Sequence, residues 1–110
     1  MYKRQRHAHA HGGLRELKRL YLNDNELGDG FATALVALLD EGGLANVEEL
    51  DLRNNAISDA GMRELAAAVA RGGLPKCTNL DLGRNPGSAA PVQEAAKQRK
   101  GMKVHVNMVS

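Results

Sequence analysis

The stretch VEELDLRNNAI at residues 47–57 decides the fold of this chain, because the same pattern recurs thirty residues before it and thirty residues after it. The two other copies read LKRLYLNDNEL at 17–27 and CTNLDLGRNPG at 77–87. Each copy follows a Gly-Gly-Leu marker, which begins at Gly12, Gly42 and Gly72. A fixed period of about 20 to 50 residues is typical of proteins built from stacked units. The chain therefore contains three copies of one structural unit.

Each copy predicts a short strand followed by a turn. In the LxL part, the two leucines point to one face of a strand and the residue between them points to the other. Leu20 and Leu22 therefore face inward, and Tyr21 faces outward. An asparagine follows where the chain must turn, and its amide can both donate to and accept from buried backbone groups. The predicted column of stacked amides consists of Asn25, Asn55 and Asn85.

A helix is predicted after each turn. Leu35, Leu38 and Leu39 of the first copy recur at helical spacing and form an apolar stripe. Asp29 and Asp59 stand at the start of the first two helical segments and are predicted to cap them. The glycine pairs suit the helix ends, where a left-handed residue returns the chain to the next strand. Strand, turn and helix in series predict parallel strands with the helices on the outer side of the sheet.

The pattern LxxLxLxxNxL, as it stands in the three copies, resembles the leucine-rich repeat family and its long helical variant typified by ribonuclease inhibitor. The resemblance covers about residues 14–106. It implies an α/β fold, namely a right-handed leucine-rich repeat solenoid that forms a short horseshoe arc. The parallel sheet would line the concave face and the helices the convex face. The resemblance implies an architecture, and it names no enzymatic activity.

The two ends of the repeat array differ. In the third copy Gly87 stands where Leu27 and Ile57 stand in the earlier copies, which is typical of a terminal repeat that tolerates water. The N-terminal end shows no such change. We therefore expect the chain to be part of, or truncated from, a longer repeat protein, and the alternative is self-association through the open N-terminal end.

The predicted domain organisation follows from the period. Residues 1–11 are a polar, basic and His-rich tail or a frayed cap, and residues 12–110 are the leucine-rich repeat domain. Within that domain the repeats lie at about 14–43, 44–73 and 74–101, and a closing strand lies at 103–107.

Composition limits the class of protein. The chain has 110 residues, enough for one domain, and aromatic residues make up 3% of it, so the core must be aliphatic. No apolar run approaches the roughly 20 residues of a membrane span, and no signal-type hydrophobic stretch follows the basic N-terminus. The single cysteine, Cys77, shares the column of Leu17 and Val47 and is predicted to be a core residue. We expect a reducing, cytoplasmic setting and no membrane contact.

Charge is arranged in blocks along the chain. Residues 23–65 hold ten acidic and two basic residues, whereas residues 1–22 hold six basic and one acidic, and residues 66–110 hold seven basic and two acidic. An acidic centre favours a protein partner with a basic surface and raises its association rate. The alternative is that these charges only solvate an exposed surface.

The concave sheet face is where proteins of the resembled family usually bind, and strand alternation predicts which side chains it presents. The predicted face is polar and mixed in sign, with one aromatic anchor, and it offers no apolar pocket for a small molecule. The predicted binding residues are Arg19, Tyr21, Glu49, Asp51, Arg53, Asp81 and His105.

Asp51 and Asp81 lie side by side in this arrangement, so they could serve as an acid–base pair or, with His105, as a divalent metal site. A flat, open sheet does not exclude water as such chemistry requires. We therefore expect no catalysis, no cofactor and no metal. Arg53 is the expected counter-charge of Asp51, and His105 that of Asp81.

Histidines alternate with alanines near the N-terminus in a spacing that can bind zinc or nickel, but no fourth ligand accompanies them, and a mobile tail is the favoured interpretation. These histidines are His7, His9 and His11. The basic run Lys3, Arg4 and Arg6 lacks interleaved aromatics beyond Tyr2, so no nucleic acid partner is expected. The basic residues near the last helix are expected to complement its dipole and solubilise the end.

The predicted function is a non-enzymatic protein–protein interaction module. The alternative implied by the resemblance is a GTPase-activating fragment or a receptor-type ligand-sensing fragment. No GxxxxGK[ST] motif occurs, so the sequence itself holds no nucleotide-binding loop of that type. A GTPase activator would need an arginine or other rim residues that order the GTPase, and Arg53 and Arg84 are the candidates.

Overall fold

The computed structural model describes residues 16–106, in which four short strands alternate with three helices. The strands are β1 (Arg19–Tyr21), β2 (Glu49–Asp51), β3 (Asn79–Asp81) and β4 (Lys103–His105). The helices are α1 (Gly28–Asp40), α2 (Asp59–Ala70) and α3 (Ala90–Lys97). Below, unit 1 means β1 with α1, unit 2 means β2 with α2, and unit 3 means β3 with α3.

The strands form one parallel sheet in chain order, β1-β2-β3-β4. Their register repeats the period of the sequence, because Leu20 pairs with Leu50, Leu50 with Leu80, and Leu80 with Val104. Successive strands in a parallel sheet need a crossover connection, and the helix of each unit supplies it. The predicted α/β arrangement of a parallel sheet with helices between the strands is confirmed.

The core lies between the helices and one face of the sheet. The inward leucines of β2 and β3, Leu50 and Leu80, are at most 1% exposed, and so is Leu65 of α2. Burying each such side chain contributes roughly 1.5–3 kcal/mol. The fully buried side chains are almost all Leu, Ile, Val and Met, so the described part of the chain has the aliphatic core that its composition predicts.

The asparagine column joins neighbouring units through buried hydrogen bonds. Asn55 is fully buried, and its Oδ1 accepts the backbone N–H groups of Asn25 at 3.0 Å and Leu27 at 3.4 Å. Its Nδ2 donates to the carbonyl oxygens of Leu22 at 2.8 Å and of Leu52 at 3.2 Å. One side chain thus satisfies backbone groups of unit 1 and of unit 2.

The next asparagine repeats this arrangement one unit later. Asn85 Oδ1 accepts the N–H of Asn55 at 2.8 Å and of Ile57 at 3.1 Å, and its Nδ2 donates to Leu52 O at 3.0 Å. At the start of the column, Asn25 is exposed and donates to Leu22 O at 2.8 Å within its own unit. The predicted role of the column is confirmed, and Asn55 and Asn85 each bond to the unit that precedes them as well as to their own.

The prediction that Asp29 and Asp59 cap their own helices is wrong. Both lie inside the first turn, and neither helix has a side-chain cap hydrogen bond. Asp29 instead accepts the backbone N–H of Ser58 at 2.8 Å and the Ser58 hydroxyl, while Asp59 accepts the N–H of Ser88 at 2.8 Å. The two hydrogen bonds from Ser58 hold the pKa of the Asp29 carboxyl below its ordinary value. Each carboxylate therefore connects its unit to the next one.

The helix ends follow the prediction. Gly42 and Gly72 have φ values of 85° and 102°, in the left-handed region that glycine adopts without strain. The Gly43 N–H donates to Leu38 O at 2.9 Å, and the Gly73 N–H donates to Ala68 O at 2.9 Å, so the last carbonyls of both helices are satisfied.

Two residues of unit 3 that the sequence analysis attributes to a solvent-exposed terminal repeat also contact unit 2. A Cβ atom at Gly87 would lie 2.3 Å from the carbonyl carbon of Ser58, so this position needs glycine for close contact with unit 2. The guanidinium of Arg99 donates to the backbone oxygens of Val69 and Gly73, at 3.0 and 2.8 Å, and also to that of Leu74. Arg99 therefore caps the end of α2 from the neighbouring unit.

We predict that Asn55→Ala lowers the free energy of unfolding by about 2–4 kcal/mol, since it leaves several buried backbone groups without partners. Asn25→Ala is the matched control, because it removes the same side chain from an exposed position with fewer bonds, and it should cost under about 1 kcal/mol. Urea unfolding of both variants measures the difference. Equal losses would show that the buried amide bonds do not hold the units together.

We also predict that Gly87→Ala destabilises the protein by at least about 2 kcal/mol, because its Cβ would overlap backbone atoms that cannot move independently. Gly30→Ala is the control. Gly30 lies in α1 with no atom within 4 Å of an added Cβ, so the substitution should stabilise the helix by about 0.5–1 kcal/mol. Thermal unfolding tests both, and a neutral Gly87→Ala would contradict the close contact with Ser58.

Candidate functional site

The sheet face that points away from the helices carries the predicted binding residues. We call it the open face. The strand register places its side chains in columns, with Arg19 beside Glu49 and Tyr21 beside Asp51, followed by Asp81 and His105. Arg53 contacts Asp51 and lies near Asp81, so all seven predicted binding residues lie on one surface. The open face consists of Arg19, Tyr21, Glu49, Asp51, Arg53, Asn79, Asp81, Lys103 and His105.

Tyr21 is the exposed aromatic residue of the open face. Its side chain is 56% exposed, and its hydroxyl donates to Glu49 Oε1 at 2.8 Å. That hydrogen bond is the main reason that the pKa of Tyr21 is raised above its ordinary value. Arg19 Nε lies 3.7 Å from the same carboxylate oxygen. Glu49 thus fixes the position of the ring while leaving its surface open to a partner.

Arg53 neutralises the neighbouring aspartates. Its guanidinium donates to both carboxylate oxygens of Asp51, with distances from 2.7 to 3.1 Å, and its Nε lies 3.5 Å from Asp81 Oδ2. Hydrogen bonding to Asp51 raises the pKa of Arg53. The predicted pairing of Arg53 with Asp51 is confirmed. The same guanidinium also forms an ion pair with Asp81.

The predicted pairing of His105 with Asp81 is not the contact that the structure shows. His105 lies opposite Asp81 in the strand register, but its Nε2 lies 3.0 Å from Asn79 Oδ1. Asp81 is already near Arg53, and its Oδ1 accepts the backbone N–H of Gly83 at 3.1 Å. The carboxylate therefore has other partners, and the imidazole turns to the neighbouring amide.

Charges on the open face balance. Three acidic side chains, those of Glu49, Asp51 and Asp81, lie among three basic ones, those of Arg19, Arg53 and Lys103. The acidic excess of residues 23–65 therefore lies elsewhere, including Asp24 and Glu26 in the turn after β1 and Asp40, Glu41 and Glu64 around the helices. An approaching partner meets alternating signs on the sheet and acidic groups at its margin.

A shallow depression of about 320 Å³ lies on the open face. The residues that line it are Tyr21, Glu49, Leu50, Asp51, Asn79, Asp81 and His105. The lining groups offer hydrogen-bond donors, acceptors and one aromatic ring, which suits contact with another protein surface. Within residues 16–106, no group of three or more His, Cys, Asp or Glu side chains is placed to hold a metal ion.

Cys77 is part of the core, as its place in the repeat predicts. It is 4% exposed, and its Sγ lies 3.4 Å from the backbone oxygen of Asn79, to which it can donate. Burial raises the pKa of the thiol. A protonated, enclosed thiol is a poor nucleophile.

A second depression lies beside unit 3 and was not predicted from the sequence. Its volume is about 620 Å³, and its lining includes Asp59, Arg84, Asn85, Gly87 and Gln93. The run from Gly87 to Ala90 lies in the lining and consists of small residues. Arg84, with a φ of 60°, is exposed there, on the turn after β3.

The predicted ligands His7, His9 and His11 and the basic run from Lys3 to Arg6 lie outside the described residues. None of the helices found within residues 16–106 has the length and hydrophobicity required to cross a membrane.

Comparison with known families identifies the repeat itself. Residues 43–66, which contain β2 and most of α2, match the family model described as Leucine Rich repeat. This segment is similar to one leucine-rich repeat, which supports the resemblance stated above. Leucine-rich repeats generally mediate protein–protein interaction and are typically non-enzymatic. Comparisons with curated proteins and with solved structures find no match.

We predict that Cys77 in the folded protein reacts with an aromatic disulfide reagent at least about a hundredfold more slowly than in denaturant, because burial protects the thiol and raises its pKa. Absorbance of the released thiolate measures both rates. The Ala67→Cys variant provides a second thiol at an exposed position of α2 as an internal comparison. A Cys77 that reacts at the denatured rate in the native protein would contradict a purely structural role.

Proposed function

We propose that this chain is a leucine-rich repeat protein and a non-enzymatic interaction module that binds a protein partner through the open face. In this proposal the units coil as a right-handed solenoid of the ribonuclease-inhibitor-like variant, with the open face on its concave side. The observation that carries the proposal is Tyr21, an aromatic side chain that is more than half exposed and is held in place by Glu49.

A positioned tyrosine is a suitable centre for a protein interface. Tyrosine and arginine contribute a large part of the energy in many interfaces, and a side chain that is already ordered loses little entropy on binding. Tyr21 is ordered by its bond to Glu49, and Arg53 is ordered by Asp51. The depression beside Tyr21 would receive a side chain of the partner.

The expected partner carries basic groups toward one margin of the open face. Asp24 and Glu26 are exposed in the turn after β1. Asp24 is ionised at neutral pH, as an exposed aspartate ordinarily is, and hydrogen bonds from Asn54 and Asn23 lower its pKa further. Basic groups at that margin would speed association, while the balanced charges of the sheet would set the register of the partner.

The rest of the proposal follows from the sequence analysis. It includes a cytoplasmic location, a role as part of a longer repeat protein, and binding without cofactor, metal, nucleic acid or membrane. No observation favours the alternative of a GTPase-activating or receptor-type fragment. Arg53, one of its two candidate arginines, is held by two carboxylates and would have to leave both to reach a nucleotide.

The proposal predicts that Tyr21→Ala, Asp51→Lys and Asp81→Lys together abolish capture of the partner proteins that the wild-type chain retains. The substitutions remove the aromatic anchor and reverse two charges on the open face. The measurement is quantitative comparison of proteins captured from a cell extract by immobilised wild-type and variant chains, with circular dichroism to confirm folding.

The matched control places three new positive charges on the helix side, through Ala67→Lys, Ala70→Lys and Gln93→Lys, at exposed positions. It should retain every wild-type partner. If the folded open-face variant also retains every partner, the open face is not the binding surface. Faster GTP turnover by a small GTPase in the presence of the wild-type chain would favour the alternative.

A further inference from the structure

The charged side chains of the open face are ordered across the four strands. Arg19 of β1 and Lys103 of β4 stand on the two outer strands, and both residues are exposed. The three carboxylates stand on the two inner strands and belong to half-buried residues. These residues are Glu49, Asp51 and Asp81. Along the strand segments, from β1 to β4, the face therefore carries positive, negative and again positive charge.

The inner carboxylates differ in how fully they are paired. Arg53, which follows β2, donates to Asp51 at 2.7 Å. The ion pairs of the other two carboxylates are longer than hydrogen bonds, because Arg19 Nε lies 3.7 Å from Glu49 and Arg53 Nε lies 3.5 Å from Asp81. Each also accepts one hydrogen bond described above, but a carboxylate offers about four acceptor sites. Glu49 and Asp81 can therefore accept further N–H donors.

The shallow depression of the open face brings these two carboxylates together with an aromatic ring. Glu49, Asp81 and Tyr21 all contribute to its lining, and Tyr21 is 56% exposed. A guanidinium or ammonium group is attracted to the face of an aromatic ring as well as to carboxylates. The depression therefore suits the end of a lysine or arginine side chain.

The spacing of the strands matches the spacing of side chains along an extended peptide. Neighbouring strands lie about 4.8 Å apart, so β1 and β4 are separated by about 14 Å. The lining of the depression extends from Tyr21 of β1 to His105 of β4, so its centre lies near the inner strands. In an extended peptide, every second side chain points the same way, and four residues span about 13 Å. Such a segment can therefore lie across the strands and place alternate side chains over β1, the depression and β4.

We propose that the open face binds an extended segment of its protein partner in which a basic residue has an acidic residue two positions away on each side. This inference rests on the proposed function and specifies the partner. The acidic residues pair with Arg19 and Lys103, and the basic residue enters the depression between Glu49 and Asp81. Because the pattern is symmetric, the segment can run in either direction across the sheet.

The order of charges in the segment, and not its net charge, is what the open face selects. An acidic residue between two basic ones would bring like charges together at every position, which is destabilising. A segment of basic residues alone would fill the depression but would place cations beside Arg19 and Lys103. Only the acidic–basic–acidic order puts opposite charges together at all three positions.

The first test is a titration of the full, ¹⁵N-labelled chain with short peptides, followed by two-dimensional NMR. The probe is acetylated and amidated Asp-Ser-Arg-Ser-Asp, and the control is Arg-Ser-Asp-Ser-Asp, which has the same composition and net charge. At low ionic strength we expect the probe to bind with a dissociation constant on the order of 1 mM, and the control at least about fivefold more weakly. Equal dissociation constants, or no binding of the probe, would overturn the inference.

The second test exchanges charges between protein and peptide. Lys103→Glu should weaken binding of Asp-Ser-Arg-Ser-Asp by about fivefold or more, and it should bind Asp-Ser-Arg-Ser-Lys more tightly than wild type does. Arg63→Glu changes the net charge equally at an exposed position of α2, and both constants should stay at their wild-type values. The NMR spectrum of each variant confirms its folding. Equal losses in the two variants would show that net charge alone governs binding.

These experiments separate the inference from the proposed function. If the two peptides bind equally while the Tyr21→Ala, Asp51→Lys and Asp81→Lys chain loses its partners, the open face is a binding surface without the proposed charge order. If the probe binds preferentially while that chain retains every partner, the charge order is real but those partners bind elsewhere.

Discussion

Each turn between strand and helix buries backbone groups that no regular ladder can satisfy, and this requirement governs the rest of the structure. The asparagine side chain is suited to it because one amide offers donors and an acceptor together. Asn55 and Asn85 meet the requirement by bonding to the unit before them as well as to their own. The strand register, the thirty-residue period and the close approach of helices must therefore agree, since a shift in any of them would separate the amides from their partners.

The sequence analysis predicted the features that depend on period and alternation. The parallel order of the strands, the inward leucines, the asparagine column, the left-handed glycines and the buried Cys77 all follow from residues whose role is set by their position in the repeat. The same logic placed Arg19, Tyr21, Glu49, Asp51, Arg53, Asp81 and His105 on one surface, because a strand alternates its side chains and parallel strands in register align them in columns.

Features that depend on side-chain direction were not predictable in this way. An aspartate at the start of a helix is expected to cap that helix. Asp29 instead accepts a hydrogen bond from Ser58 of the next unit, because the two helices lie close together. His105 lies opposite Asp81 in the strand register, but its Nε2 contacts Asn79, while Asp81 lies near Arg53. From the sequence, Gly87 was interpreted as the replacement of an apolar residue in a terminal repeat. In the structure, the backbone of Ser58 can lie close to Gly87 because glycine has no side chain. In each case the deciding partner is thirty or so residues away.

Unit 2 combines two complete contact surfaces. On the side of unit 1, these are Gly61, which packs closely, and Asn55 Oδ1, which accepts hydrogen bonds. On the side of unit 3, they are the Asp59 carboxylate and the backbone N–H groups that donate to Asn85. Units 1 and 3 differ from unit 2 at these positions, since Phe31 takes the place of Gly61 and Ala89 that of Asp59. Unit 2 is accordingly a template for extension: tandem copies of its thirty residues inserted between the flanking units would each find a matching neighbour, so the length of the array is an engineering variable.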